Sequence, residues 1–168
     1  DRIKSTWLNV QVVRLGDGIA ITSRDVTESR ISTERIEYLA HYDPLTGLAN
    51  RTLLYDRLRQ AILLGQRHHS KVALLMLDID FFKRYNDTLG HERGDQILAA
   101  IGQRLLASVR ESDTVARLGG DEFVVVMQDF QSIDDVRRCA ENILRAASSP
   151  IDLPGHTVQV TLSIGASL

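Results

Sequence analysis

One cysteine, almost no net charge and no long apolar run are the shortages of this 168-residue chain, and each removes a class of protein. A lone Cys139 cannot close an internal disulfide and suits a reducing compartment. It falls on the apolar side of a predicted helix, where it reads as a small buried hydrophobe. Lys and Arg total 20 against 22 Asp and Glu. The chain as a whole therefore has no pull toward nucleic acid or an acidic membrane, and neither is expected as a partner of this segment. Any phosphate binding must come from a local arrangement of charge. No stretch approaches the roughly 20 apolar residues of a bilayer-spanning helix, and no basic-then-apolar leader is visible at the start. A cytoplasmic protein, or the cytoplasmic part of a larger membrane-attached one, is the expectation. Repeats and low-complexity tracts are absent as well.

What is present divides into three segments. Trp7 to Leu15 and Ile19 to Arg24 are β-type runs joined by Gly16-Asp17-Gly18, the pattern of a hairpin. Two strands alone make no stable domain, so residues 1–27 are expected to be the end of something larger. Residues 28–42 turn helical, with Ile31, Arg35, Tyr38 and Leu39 near one stripe, and stop at Asp43-Pro44 because proline disfavours the α conformation in the residue before it. This predicts a linker helix, with a dimeric coiled coil as one use of it.

From residue 43 the elements alternate. Asn50 can cap a helix through Leu54, Leu58, Ala61 and Ile62 that runs out at Gly65. Val72 to Leu77 is a continuous apolar run, predicting a strand buried on both faces. A helix after Gly94 carries Ile97, Leu98, Ile101, Leu105 and Val109 on one side. Thr114 to Leu118 and Phe123 to Met127 flank Gly119-Gly120, a second hairpin. Ser132 opens a helix through Val136, Cys139, Ala140, Ile143 and Leu144. A turn at Pro154-Gly155 precedes Val158, Val160, Leu162 and Ile164, which alternate as in a half-buried strand. Mixed helices and hairpins predict an α+β fold, a mostly antiparallel sheet flanked by helices.

Two acidic turns carry the chemistry. In Leu77-Asp78-Ile79-Asp80-Phe81-Phe82 an apolar strand ends in two carboxylates on one face. In Gly119-Gly120-Asp121-Glu122-Phe123 two more follow a glycine tip. Taken singly, each is an ordinary turn. If the two strands are neighbours, the acids converge at one end of the sheet, which suits a hard cation such as Mg²⁺ completed by phosphate oxygens. Without a cation they would repel one another.

These residues also resemble a known family. Asp43-Pro44-Leu45-Thr46-Gly47-Leu48-Ala49-Asn50-Arg51 is similar to the opening motif of GGDEF-type diguanylate cyclase domains, Asp78 to Phe82 to their metal turn, and Asn86 to Asp95 to their guanine-reading segment. Gly119 to Phe123 is the signature itself, and Ser163-Ile164-Gly165 resembles a late strand. The resemblance spans residues 43–168. It implies a fold like the palm of class III nucleotide cyclases and the joining of two GTP into cyclic di-GMP with loss of pyrophosphate, across a homodimer. Position by position, it implies Mg²⁺ (or Mn²⁺) on Asp78, Asp121 and the carbonyl of Ile79, with Glu122 beside Asp121 as the catalytic pair. It puts phosphate on Lys83, Arg117 and the backbone of Phe81 and Phe82, and the base on Asn86 and Asp95. Asp80 is left to brace the loop. Arg110-Glu111-Ser112-Asp113 resembles the family's inhibitory Arg-x-x-Asp motif, which binds cyclic di-GMP with basic partners expected past residue 168. Ile21 to Glu28 looks like the last strand and exit motif of a PAS sensor domain.

Other readings remain open on sequence. A non-catalytic module that binds GTP or cyclic di-GMP fits the same motifs, and Leu48-Ala49-Asn50-Arg51 resembles hybrids that carry an EAL phosphodiesterase domain. A pure dimerisation unit built on the linker helix is the third. The histidines suggest no metal site: His68-His69 reads as a solvated loop, His91 as a turn residue, and His41 and His156 have no partner spacing.

Overall fold

The computed structural model describes residues 6–168, so residues 1–5 of the expected sensor remnant lie outside the described residues. The chain divides into two compact units, one ending at Ala40 and the other spanning His41–Leu168.

The first unit is a hairpin followed by a helix. Strands β1 (Leu8–Leu15) and β2 (Gly18–Asp25) pair antiparallel through a two-residue turn, and helix α1 (Thr27–His41) follows. The Asp25 carboxylate accepts the Thr27 N–H at 2.9 Å, which starts α1. Thr27 in turn accepts the Trp7 N–H at 2.8 Å, tying the helix start to the first strand. The Arg30 guanidinium lies 4.5 Å over the Trp7 ring. No residue of α1 is buried.

The second unit is a four-stranded antiparallel sheet, order β4-β5-β3-β8, with helices on both faces. Its elements are α2 (Arg51–His68), β3 (Lys71–Ile79), α3 (Phe82–Leu89), α4 (His91–Ser108), β4 (Thr114–Gly119), β5 (Glu122–Phe130), α5 (Ile133–Ala147), the small hairpin β6 (Ile151–Leu153) and β7 (His156–Val158), and β8 (Leu162–Ser167). Phe123, Val125 and Met127 of β5 pack with Leu75 and Leu77 of β3 against Ile97, Ile101 and Leu105 of α4 and Ile143 of α5. Val124 and Val126 face the other way, onto Leu54 and Ala61 of α2. The α+β expectation stands, and the sheet is palm-like.

Four local expectations need correction. The strand buried on both faces is β5, where Phe123 to Met127 are all buried. In β3 burial alternates, because Ala73, Leu75, Leu77 and Ile79 face the core while Met76 and Asp78 face outward. A six-residue apolar run does not reveal which face is covered. Gly65 does not end α2; the helix continues to His68 and closes on His69 in the left-handed conformation. A Cβ at Gly65 would lie 2.9 Å from the Ser70 carbonyl oxygen, so the glycine admits the returning chain. The last alternating run is split, since Val158 ends β7, Val160 is fully buried in the connection and β8 begins at Leu162. His91 also differs from its reading as a turn residue: it opens α4, and Gly94 lies inside that helix's first turn.

Candidate functional site

The ladders of the sheet bring the two acidic turns together. Asp78 is the register partner of Glu122 on one side and of Ser163 on the other. Asp78, Asp121, Glu122 and Asp80 are near enough to affect one another: partial burial first, then the charges of Asp121, Glu122 and Asp80, hold the Asp78 carboxyl above its usual range. A cavity of about 320 Å³ opens there, lined by Asp78, Glu122, Ser163 and Gly165 among others. Like charges gathered at a solvent-facing strand end are a donor set that a hard divalent cation relieves. Among the described residues, no group of three or more Asp, Glu, His or Cys side chains is arranged to hold an ion by itself. A cation here would take Asp78, Asp121 and the Ile79 carbonyl, and draw its remaining oxygens from substrate and water.

Asp80 does something different from its neighbour. It accepts Thr161 Oγ1 at 2.5 Å and Ser163 Oγ at 2.6 Å, and its own N–H donates to the Thr161 carbonyl. Those bonds, Ser163 first, keep its carboxyl below the usual range. It braces the metal turn against the approach to β8.

Beyond the turn, the chain is under local strain. Phe81 adopts φ 57°, a left-handed conformation uncommon for a bulky residue, and its ring is 82 % exposed. Phe82 is buried and opens α3, whose start has no side-chain cap. The first N–H groups of a helix have no partner one turn earlier; here the Arg84 N–H donates to the Phe81 carbonyl at 2.8 Å, which leaves those of Phe82 and Lys83 for an anion, with the exposed Lys83 side chain beside them. Asn86 and Asp95 come from α3 and α4. A Cβ at Gly94 would fall 1.9 Å from Asn86 Oδ1, so this glycine lets the Asn86 amide lie across the start of α4. Gly94 admits Asn86 by its lack of a side chain. Only its place between Arg93 and Asp95 hinted at it in the sequence.

Arg117, expected on phosphate, is engaged elsewhere. Its Nη1 donates to both oxygens of Asp43, at 3.1 and 3.2 Å, while Nε and Nη2 donate to the Gly120 carbonyl at 3.0 and 2.8 Å.

Arg110 and Asp113 border a second cavity, of about 300 Å³, with Asp135, Arg138, Cys139 and Asn142. The Asp113 carboxylate accepts the Arg110 N–H at 3.1 Å, which folds the loop and leaves the Arg110 side chain exposed. Arg138 lines this cavity while also pairing with Asp135. Burial, ahead of the Asp113 charge, pushes the Cys139 thiol up, in keeping with an inert buried thiol.

A palm-like antiparallel sheet with carboxylates gathered at the end of a central strand defines a class of nucleotide-handling domain. The model of the family described as "Diguanylate cyclase, GGDEF domain" matches residues 40–168, and the chain belongs to this family. It is 42 % identical over 144 residues to the diguanylate cyclase TpbB of Pseudomonas aeruginosa, covering 84 % of this chain and 33 % of that protein. A solved structure of TpbB comprising only its GGDEF domain superposes with a TM-score of 0.73 at 44 % identity, over 75 % of this chain and 74 % of that one. The bifunctional diguanylate cyclase/cyclic di-GMP phosphodiesterase MucR, also of Pseudomonas aeruginosa, is 42 % identical over 140 residues, covering 83 % of this chain and 20 % of that protein. The coiled coil and GGDEF domain of DgcB from Caulobacter crescentus, solved in complex with cyclic di-GMP, superposes with a TM-score of 0.75 at 29 % identity, over 84 % of this chain and 75 % of that one. The chain thus spans a third or less of the two curated relatives named here.

Proposed function

We propose that this chain is the catalytic domain of a diguanylate cyclase, joining two GTP into cyclic di-GMP with release of two pyrophosphates. The observation that carries the reading is the register pairing of Asp78 with Glu122, next to Asp121, at an open cavity. The first N–H groups of α3 and Lys83 hold the triphosphate. Asn86, which both donates and accepts, and Asp95, which only accepts, pair with guanine's edge. Adenine would leave them mismatched, a penalty worth up to about 10⁴–10⁵-fold in such sites. Glu122 takes the proton of the attacking 3′-hydroxyl. Mg²⁺, or Mn²⁺ in its place, on Asp78, Asp121 and the Ile79 carbonyl would acidify that hydroxyl and neutralise charge on the leaving pyrophosphate.

One domain holds one GTP, so the reaction needs a homodimer of facing domains. The exposed helix α1 is suited to bringing them together as a coiled coil, below the remnant of a PAS-like sensor in residues 1–27. Product inhibition follows from the Arg110–Asp113 loop, where Arg110 and Arg138 would grip the phosphates of cyclic di-GMP and Asp113 its base. The similarity to MucR raises an EAL domain as a further partner in the full protein. A cytoplasmic location suits both GTP and a chain in which no described helix is long and apolar enough to cross a membrane.

The test is incubation of the dimerised chain with GTP and Mg²⁺, with cyclic di-GMP and pyrophosphate measured by chromatography. Synthesis in proportion to the amount of dimer is expected, and its loss on dilution to monomers. No product at any concentration, together with an upward melting shift from GTP or cyclic di-GMP, would replace this reading with a non-catalytic binding module.

A further inference from the structure

The position of Asp121 depends on a residue far from it in sequence. Asp121 follows Gly119 and Gly120, whose φ angles of +146° and +55° are open to glycine. The strand register also shifts between Arg117 and Gly119. A tip built this way has little intrinsic stiffness. What fixes it is Arg117, whose Nε and Nη2 both donate to the Gly120 carbonyl, one peptide before Asp121. The remaining arm of that guanidinium reaches Asp43. Both side chains are mostly covered, 12 % exposed for Arg117 and 19 % for Asp43.

Asp43 is itself held from three directions. Its Oδ1 accepts the Thr46 hydroxyl at 2.7 Å and the Thr46 N–H at 2.9 Å. Its N–H donates to the Leu48 carbonyl, and its own carbonyl accepts the Gly47 N–H. Thr46 and Leu48 in turn lie against Gly102 of α4, where a Cβ would approach Thr46 within 3.2 Å. The same turn is stitched to β4 by the Ala49 N–H on the Val115 carbonyl and the Arg117 N–H on the Ala49 carbonyl. The opening turn is therefore an anchored carboxylate, and Arg117 is the strut between it and the glycine tip.

We propose that Asp43, acting through Arg117, is a positioning residue that sets the Gly120 carbonyl and so aims the Asp121 carboxylate at its cation. The proposal rests on the cyclase reading for the identity of that cation. It reassigns Arg117 from phosphate ligand to strut. A planar fork is needed to span a carboxylate and a carbonyl at once, and an ammonium offers no such geometry.

The experiment uses the full chain with Asp43→Asn, which keeps an oxygen acceptor for Thr46, with Arg117→Lys, and with the two combined. Mn²⁺ binding is followed by electron paramagnetic resonance in the presence of a non-hydrolysable GTP analogue, and cyclic di-GMP synthesis is assayed in parallel. Each single variant is expected to weaken Mn²⁺ by about 10-fold or more, the usual scale for a lost supporting contact at a metal site. The KM for GTP should change much less than kcat, and the double variant should be no worse than the weaker single one. Circular dichroism of each variant gives its folded fraction, and the apparent Mn²⁺ affinity is corrected by that fraction, so partial unfolding is separated from the effect. Unchanged Mn²⁺ affinity in both single variants, or additive losses in the double one, overturns the proposal. If wild type binds Mn²⁺ but makes no product, the cyclase reading fails while the strut is still tested by metal affinity.

Discussion

At the scale of single residues, the acids at the end of β3 take opposite parts. Asp78 is crowded by Asp121, Glu122 and Asp80, and no hydrogen bond offsets that crowding. Asp78→Asn is expected to raise the melting temperature measured in EDTA while abolishing metal-dependent synthesis, since it removes repulsion that only a cation uses. Asp43 runs the other way. Burial alone would raise its pKa, but Thr46 and Arg117 together bring it below the usual range. A depressed pKa contributes stability that is present above the unfolded value near about 4 and is lost as pH falls through the folded one. Asp43→Asn should therefore flatten the acid limb of a stability–pH curve below about pH 4, leaving its neutral part set by the other contacts; urea midpoints from pH 2 to 7 would show this. Gly94→Ala places a methyl on the Asn86 amide, whose flexible tip can swing away. Expected is a rise in KM for GTP with weaker preference over ATP, and little change in melting. These roles were unevenly legible. The acids are named by their chemistry and Asn86 by its resemblance to a family motif, whereas Gly94 acts through an absent side chain and Arg117 through a distant partner that only the fold supplies.

Among the elements, helix termini and strand order decide what pattern alone could not. The start of α5 follows its lettering: Ser132 and Asp135 form a reciprocal cap, with the Ser132 N–H on Asp135 Oδ2 at 2.9 Å. Its far end depends on Arg104 of α4. That guanidinium donates to the carbonyls of Ala147, Ser149 and Pro150 at 2.5 to 3.0 Å, closing the exit from α5 into β6. No sequence period marks such a contact across 43 or more residues. Arg104→Ala should destabilise the domain by about 1–3 kcal/mol, the range for charged hydrogen bonds lost from partly covered carbonyls, read as a lower urea midpoint. Which strand is covered on both faces was equally hidden. Val72 to Leu77 and Phe123 to Met127 are equally apolar, and only the placement of α2 over Val124 and Val126 makes β5 the strand covered on both sides.

Across the molecule, every buried hydrophobic residue among those described lies at or beyond Leu48. The hairpin and α1 contribute none, although Leu8, Val10, Val12, Val13, Ile19 and Ile21 are large and apolar. The second unit should accordingly fold by itself. Deleting residues 1–40 is expected to leave its urea midpoint unchanged within the roughly 10–15 % uncertainty of such measurements, while removing synthesis if α1 is what pairs the domains. The two units divide between Ala40 and His41, two residues ahead of the break that the proline at Asp43-Pro44 led the sequence reading to expect. The ladder between β3 and β5 has a further consequence. It runs from Val72 opposite Gln128 to Asp78 opposite Glu122, with its one irregularity at the far end. Side chains alternate faces, so sliding β3 by one residue would drive Asp78 inward, and sliding β5 would turn Phe123 from the α4 side to the α2 side. Intermediate alignments do not exist for such a pair. The facing of Asp78 and Glu122 is accordingly indexed by whole steps of the backbone, which leaves the glycine tip that carries Asp121 as the part of the acidic centre that can be tuned by degrees.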